Sequence, residues 1–563
     1  MTSAVSGPTA ELPIDPFGGG APIGFVCAVE PTGVSVSLAA APSRNGDGSG
    51  AGAVRVGDLV SIDAGEAAVI GRVSGLVSDQ AEGARGSQAD VTFLTSIDLA
   101  SGRVVPGVAA YPPLGARTFT VDPGFVQWIA QRGDAGAEGR AVTMDLAALP
   151  DGTPIALSPE RLFGRHCTLV GTTGGGKSWT LARLVEAAAA HAGKVILIDP
   201  TGEFHTLRDA THISLGGRDR PDSCAAAVFP YRELLEADLL ALFRPETNVQ
   251  LARLRAAIKS LKLAEVVGME NPLVAGNGCI PKAEQPKLAY DEAYRQHIDV
   301  LDSPLASFDV ELLALQMRFE CVFPSAGPAP SERVRWGGPS EPDLSECDPL
   351  IARIESNLNS PEYSCIFASA PGGESLPAVI REFLASDDSV LRLSLRQLSF
   401  RESIREIVAN AIGRHLLELG RQGAFAEKPL VILVDEAHHF LNQQIGDAHW
   451  SYALDAFELI AKEGRKYALT TGLATQRPRD IPEGVLSQIG TFIVHRLIND
   501  EDRSVVERAS GEIDREAAKF LPSLGPGQAV VIGVELPMPL TVQILAPTTP
   551  PDSRGPDYQS HWR

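Results

Sequence analysis

No run of apolar residues in this 563-residue chain approaches the length needed to cross a bilayer. Its first stretch, MTSAVSGPTAELPIDP, lacks the charged and apolar segments of a secretion signal, so a cytoplasmic protein is expected. C-x-x-C pairs are missing too. The seven cysteines (Cys27, Cys167, Cys224, Cys279, Cys321, Cys347, Cys365) are scattered and odd in number. That argues against a zinc site or a disulfide framework and suits a reducing compartment. Basic residues are scarce, 49 against 70 acidic ones, for a formal net charge of −21. Such a balance excludes indiscriminate nucleic-acid binding and confines any DNA contact to a local basic lining, such as a channel. There are no internal repeats or heptads. What remains is an ordinary folded composition, 44% hydrophobic and 21% charged. Its length suits about two to four domains.

The stretch around which the rest is organised runs from Arg165 to Glu203. A short apolar run, Cys167 to Val170, reads as a buried strand. It leads into Gly171-Thr172-Thr173-Gly174-Gly175-Gly176-Lys177-Ser178, a full G-x-x-x-x-G-K-[ST] phosphate loop. A helix-patterned segment from Trp179 to Ala190 follows, and then a second strand, Lys194 to Ile198. The glycines let several N–H groups converge on one anion, and the helix N-terminus adds its partial positive charge. Lys177 is expected to reach the terminal phosphates and Ser178 to hold Mg²⁺, with Trp179 closing the binding stretch. A glycine-rich turn without a ligand is the bland alternative; the strand and helix flanks argue against it. The chain is read as binding ATP with Mg²⁺.

Upstream, residues 1 to 20 are small and Pro/Gly-rich, a tail. From Ile23 to Asp122, runs such as GFVCAVE, GVSVSLAA and AAVIGRVSGLV alternate with turn signals and predict a small β-barrel. Ser43 to Gly52 should be a flexible loop within it. The barrel carries no catalytic constellation and is expected to serve assembly or docking. Ala210 to Pro230 reads as loop. Helical patterns fill Tyr231 to Ser386, interrupted by a loop from Pro324 to Pro339. Strands resume at Val390 to Leu395, followed by a helix over Ser403 to Leu419 and a strand over Pro429 to Val434. Strands and helices alternating on both sides of an insertion indicate one parallel α/β domain.

Leu430 to Val434 ends in Asp435 and Glu436. Carboxylates at the C-terminal edge of such a strand belong in the crevice where α/β folds bind ligands. Asp435 would hold Mg²⁺ through water and Glu436 would orient and deprotonate the attacking water; an ordinary helix cap is the alternative. His438 and His439 read as structural. The strand Tyr467 to Ala474 ends in Thr475-Gln476, where Gln476 could contact the γ-phosphate or merely close a turn. An arginine must offset the charge that develops in hydrolysis, and Arg165, Arg465 and Arg496 are the candidates. Each could equally be an ordinary surface residue.

Taken together, RHCTLVGTTGGGKS, Asp199-Pro200-Thr201-Gly202-Glu203-Phe204, VILVDEAHHFL, IAKEGRKYALTTGLATQRPRDIP and LSQIGTFIVHRLINDED occur in the order found in HerA-type ATPases of the HerA/FtsK group, and the chain resembles that family. The resemblance covers most of residues 20 to 546. It implies an α/β fold with a RecA-like P-loop ATPase core (126–230 and 387–546), an N-terminal HAS-barrel-like β-barrel (21–125), a helical insertion (231–386) and a C-terminal tail (547–563). It further implies a homo-hexamer, with ATP at each interface and double-stranded DNA in the pore, translocated or unwound by hydrolysis. Lys177, Ser178, Asp435, Glu436 and Gln476 match the Walker A, Walker B and sensor positions. Arg165 and Arg465 match family arginines, Arg465 being favoured as the finger acting across the interface, and Asp199 and Glu203 match an acidic post-strand motif. Members of the family work with a separate nuclease (NurA-like) or an effector (sirtuin-like or other), in DNA end processing or antiphage defence. The tail from Thr548 is expected to brace a neighbouring subunit.

Two other readings compete. Asp435-Glu436-Ala437-His438 matches a DEAH-box string, but that class needs a second ATPase lobe, and the roughly 105 residues between Glu436 and the last strand finish one lobe without building another of domain size. A nucleotide-switched scaffold that activates an effector without moving DNA fits the acidic net charge. Stimulation of hydrolysis by duplex DNA separates it from a motor.

Overall fold

The computed structural model describes residues 12, 14–18, 20–38, 54–79, 86–131, 142–216, 224–305, 307–367, 374–399, 403–441, 443–446, 451–511, 518, 520–553 and 558–562. The expected loop at Ser43 to Gly52 and most of the N-terminal tail lie outside them. The chain divides into two compact units, one of residues 1–191 with 470–550 and the other of 192–469 with 551–563.

The first unit begins with an antiparallel sheet of seven strands. Pairing runs Gly33–Leu38, Gly24–Glu30, Arg117–Thr120, Leu59–Asp63, Ala67–Asp79 and Gly86–Asp98. Gly86–Asp98 also pairs with Gly33–Leu38, so the sheet closes into a barrel. Alternation along the strands turns Val34, Val36, Val60, Ile62, Val69, Val73 and Val91 inward to one cluster. Gly71 sits at a bulge where a Cβ would lie 2.5 Å from a Val91 methyl. Only glycine lets the strands close there. The short strand Val104–Pro106, which has no alternating pattern of its own, hangs on Gly86–Asp98.

The same unit holds parallel strands Cys167–Val170 and Thr491–Val494, the former also paired to Gly472–Thr475. Antiparallel strands Gln528–Gly533, Leu540–Ile544, Met144–Ala148 and Pro154–Leu157 continue the sheet. The helix Lys177–Ala189 carries Glu186. This carboxylate accepts from the backbone N–H and hydroxyl of both Thr548 (3.0 and 2.7 Å) and Thr549 (2.9 and 2.9 Å), clasping the end of the unit to the helix.

In the second unit six described parallel strands lie in the order Glu374–Ser375, Ala225–Val228, Thr211–Leu215, Val390–Ser394, Lys194–Asp199, Leu430–Val434. Val390–Ser394 and Lys194–Asp199 are buried along their whole length, with Arg392 and Asp199 among the buried residues. Two of these strands correct the reading of Ala210 to Pro230 as loop. THISL is short and polar at its start and AAAV lacks β-branched residues until its end, so neither announces itself.

Between Val228 and Val390 the unit is largely helical. The helix Asn248–Val267 is capped by the Thr247 hydroxyl, which accepts from the Gln250 N–H at 3.2 Å, and stops at Gly268. Against it pack Leu313–Glu320 and Glu341–Asn359. Glu320 is buried there and accepts from Ser260 (2.6 Å), Gln316 (2.9 Å) and Lys282 (2.6 Å). No described helix is long and apolar enough to cross a membrane.

Candidate nucleotide site

The candidate residues fall into two groups, one in each unit. In the first unit, Cys167–Val170 is buried between two parallel neighbours and ends at the glycine loop. Gly174 (φ +75°) and Gly176 (φ +113°) are left-handed, and the Gly175 N–H donates to the Thr172 carbonyl at 3.0 Å. A Cβ on Gly176 would come within 3.2 Å of both Gly527 Cα and His495 Cε1. That conformation and that closeness require glycine. Helix Lys177–Ala189 starts directly after the loop with no acidic residue in its first turn, so its N-terminal charge is not offset.

Lys177 is buried and its Nζ donates to the Thr172 carbonyl at 3.1 Å, laid along the inside of the loop. Thr173 and Gly174 are exposed, Thr172 and Ser178 half-buried, and Gly171 and Gly175 buried. Trp179, 42% exposed, points away from the core. Left-handed glycines, one cation and a hydroxyl beside a helix N-terminus are a set of groups that suits a polyphosphate.

Gln476 follows the strand Leu469–Thr475, and its Oε1 accepts from the Thr173 hydroxyl at 2.5 Å, which brings it to the loop. Arg496 meets the loop through its backbone: its carbonyl accepts the Thr172 N–H at 3.0 Å, while its guanidinium is exposed. Arg165 is exposed, with Nε 3.8 Å from a Glu535 oxygen.

His495 was not legible in the sequence as a site residue. It is wholly buried under the loop. Burial, helped by the nearby Lys177 charge and opposed by a hydrogen bond to the Gln528 carbonyl, pushes its imidazole down to about 4. It is neutral at physiological pH.

In the second unit, Asp435 directly follows Leu430–Val434 and is 3% exposed. Glu436 is left-handed at φ +45°, a conformation non-glycine residues adopt rarely and mostly where function or tight turns demand it. Burial, and then the charges of Glu436, Asp199 and Glu203, raise the Asp435 carboxyl well above its ordinary value. A divalent cation beside it would offset that repulsion, although among the described residues no group of three or more His, Cys, Asp or Glu side chains is arranged to hold one by itself.

Asp199 has another task. Its Oδ1 accepts the Gly202 N–H at 2.7 Å, and its Oδ2 accepts the Phe204 N–H at 3.1 Å and Arg392 Nε at 2.7 Å. Both oxygens are spent holding the turn that carries Glu203. His438 lies with Nδ1 3.4 Å from Glu436 Oε2. Arg465 is exposed on the tight turn Gly464–Tyr467.

The family model described as "Helicase HerA, central domain" matches residues 145–312, and "Helicase HerA-like C-terminal" matches 415–557. Together they span more than half of the chain. A probable helicase of Methanocaldococcus jannaschii is 26% identical over 411 residues, covering 70% of this chain and 68% of that protein. The "Probable DNA double-strand break repair helicase HerA" of the same organism is 24% identical over 425 residues, covering 70% of this chain and 74% of its own length. Among solved structures, VirB4 of Thermoanaerobacter pseudethanolicus aligns with a TM-score of 0.46 and 15% identity, over 73% of this chain and 98% of that one.

Proposed function

The chain belongs to the HerA-like family of ATPases and is an ATP-hydrolysing enzyme, and from this we propose that it is a ring-forming, ATP-driven motor on double-stranded DNA with a RecA-like core. The observation that carries the proposal is the glycine loop between Cys167–Val170 and Lys177–Ala189, with Lys177 laid along it.

In this reading the loop's N–H groups and Lys177 bind the triphosphate, while Glu436 orients water and takes its proton. Gln476 contacts the γ-phosphate, and Arg465 acts on a neighbouring subunit's nucleotide. Mg²⁺, held by Ser178 and Asp435, would neutralise charge on the phosphates. The relatives named for double-strand break repair support work on duplex DNA. A net charge of −21 confines that contact to a basic pore lining of a homo-hexamer. The barrel would dock a separate nuclease or other effector, in DNA end processing or antiphage defence.

The same acidic charge favours one second reading, a nucleotide-switched scaffold that activates its effector without moving DNA. Hydrolysis measured with and without duplex DNA separates the two. A motor is stimulated several-fold, and its mass by light scattering with ATP is that of six chains. Turnover that ignores DNA supports the scaffold and overturns the motor.

A further inference from the structure

His495 stands just past the end of Thr491–Val494, directly beneath the glycine loop. Its backbone N–H donates to the Val170 carbonyl at 2.7 Å, so it is pinned at the point where the loop departs from its strand. A Cβ on Gly171 would lie 2.6 Å from His495 Cβ, and one on Gly176 3.2 Å from His495 Cε1. The His495 side chain thus lies against both ends of the glycine run, its Cβ at Gly171 and its ring at Gly176.

The ring's two hydrogen bonds fix its tautomer. Nδ1 is 2.9 Å from the Gln528 carbonyl, which can only accept, so Nδ1 carries the proton. In the neutral ring Nε2 is then an acceptor, and the Thr180 hydroxyl 2.8 Å away donates to it. That same hydroxyl lies 3.1 Å from the carbonyl of Gly176, the residue before the helix. Strand Gln528–Gly533, the imidazole and the first turn of Lys177–Ala189 are therefore linked in one buried line. Gly527 closes the line from the other side, its N–H 3.4 Å from the Gly175 carbonyl.

We propose that His495 is a positioning residue for ATP hydrolysis: it holds the glycine loop and the start of its helix in the form that presents N–H groups to the triphosphate. A backbone cradle needs such support, because six loop residues with three consecutive glycines have little of their own to fix them. A shorter side chain at this position would leave the Gln528 carbonyl without this donor and the Thr180 hydroxyl with the Gly176 carbonyl as its acceptor, cutting the link between strand and helix.

The proposal rests on the glycine loop being the nucleotide cradle, and the test keeps the two apart. Binding of a fluorescent ATP analogue and steady-state ATPase kinetics are measured on the full chain for His495→Ala, His495→Gln, Thr180→Val, the double variant His495→Ala with Thr180→Val, and Lys177→Ala. Thr180→Val is close to isosteric and guards against loss of fold in His495→Ala. Thermal unfolding without nucleotide is followed in parallel.

The expected result is about tenfold weaker binding for His495→Ala and for Thr180→Val, the size of one buried hydrogen bond removed. The double variant should be no weaker than either alone, because one linkage is cut. His495→Gln, which restores an acceptor toward Thr180, should recover most of the affinity. KM should rise more than kcat falls. If His495→Ala and Thr180→Val bind as tightly as the unaltered chain while Lys177→Ala does not, the positioning role is wrong and the cradle stands. If Lys177→Ala also binds unchanged, the cradle itself is wrong. Additive losses in the double variant would likewise overturn the linkage.

Discussion

The Thr173 hydroxyl donates to Gln476 Oε1 at 2.5 Å, tying the tip of the glycine loop to the polar residue that ends the strand beside it. The two are 303 residues apart in the chain. Any shift of the loop on binding or losing a phosphate must be felt at Gln476, and through it at the segment that follows.

Gln476→Ala should therefore lower kcat about tenfold, the effect of removing one hydrogen bond from the transition state, with KM within a factor of about three. Steady-state ATPase kinetics check it. A rise in KM with kcat unchanged would make Gln476 a ground-state binding residue only.

Lys177→Ala and Glu436→Gln should fail in different ways. The first removes the cation laid along the loop and should abolish nucleotide binding. The second keeps the shape of a side chain held at φ +45° and removes only its basicity. It should bind ATP normally and turn over about 10² to 10⁴-fold more slowly. Retention of unhydrolysed ATP after gel filtration reads this directly, and wild-type turnover by Glu436→Gln would show that another group is the base.

Glu186 offers a pH test. Burial alone would raise its carboxyl, but the backbone and hydroxyl donors of Thr548 and Thr549 outweigh that and hold it below its ordinary value. A carboxylate with a depressed folded-state pKa stabilises the protein above its unfolded value of about 4.3, and that contribution is lost as pH falls through the folded value. Glu186→Gln should be less stable than the unaltered chain at pH 7 by about 1–3 kcal/mol. The gap should close as both are acidified below the ordinary carboxylate range. A gap independent of pH would mean that the clasp acts by shape and not by charge.

The Lys282–Glu320 pair, 2.6 Å apart and buried, is a stability element of the helical region. Lys282→Met strands the Glu320 charge and should cost about 3–5 kcal/mol. The double variant with Glu320→Met should regain much of that loss. Urea unfolding read by fluorescence in a background whose other four tryptophans are replaced by Phe leaves Trp336, whose ring centre lies 5.2 Å from Lys282 Nζ, to report on the region itself. Equal losses in the single and double variants would point to packing and not to charge.

What could be read from residues in order was whatever a few neighbouring residues dictate between them. Alternating valines announce a barrel strand, because side chains on a strand point to opposite faces. A glycine run closed by Lys177-Ser178 announces an anion cradle, because left-handed backbone and a helix start are local properties. Val434-Asp435-Glu436 announces an acidic strand end for the same reason.

What depends on partners far along the chain stayed hidden. Thr211–Leu215 and Ala225–Val228 become strands only because a parallel neighbour supplies their hydrogen bonds. Arg496 serves the loop with a carbonyl, a group every residue carries and no composition betrays. Asp199 spends its carboxylate on a turn and on Arg392, 193 residues away. His495 meets Thr180 across 315 residues of sequence. Local backbone preference is written in the chain itself, whereas burial and long-range hydrogen bonding exist only once folding has brought distant segments into contact.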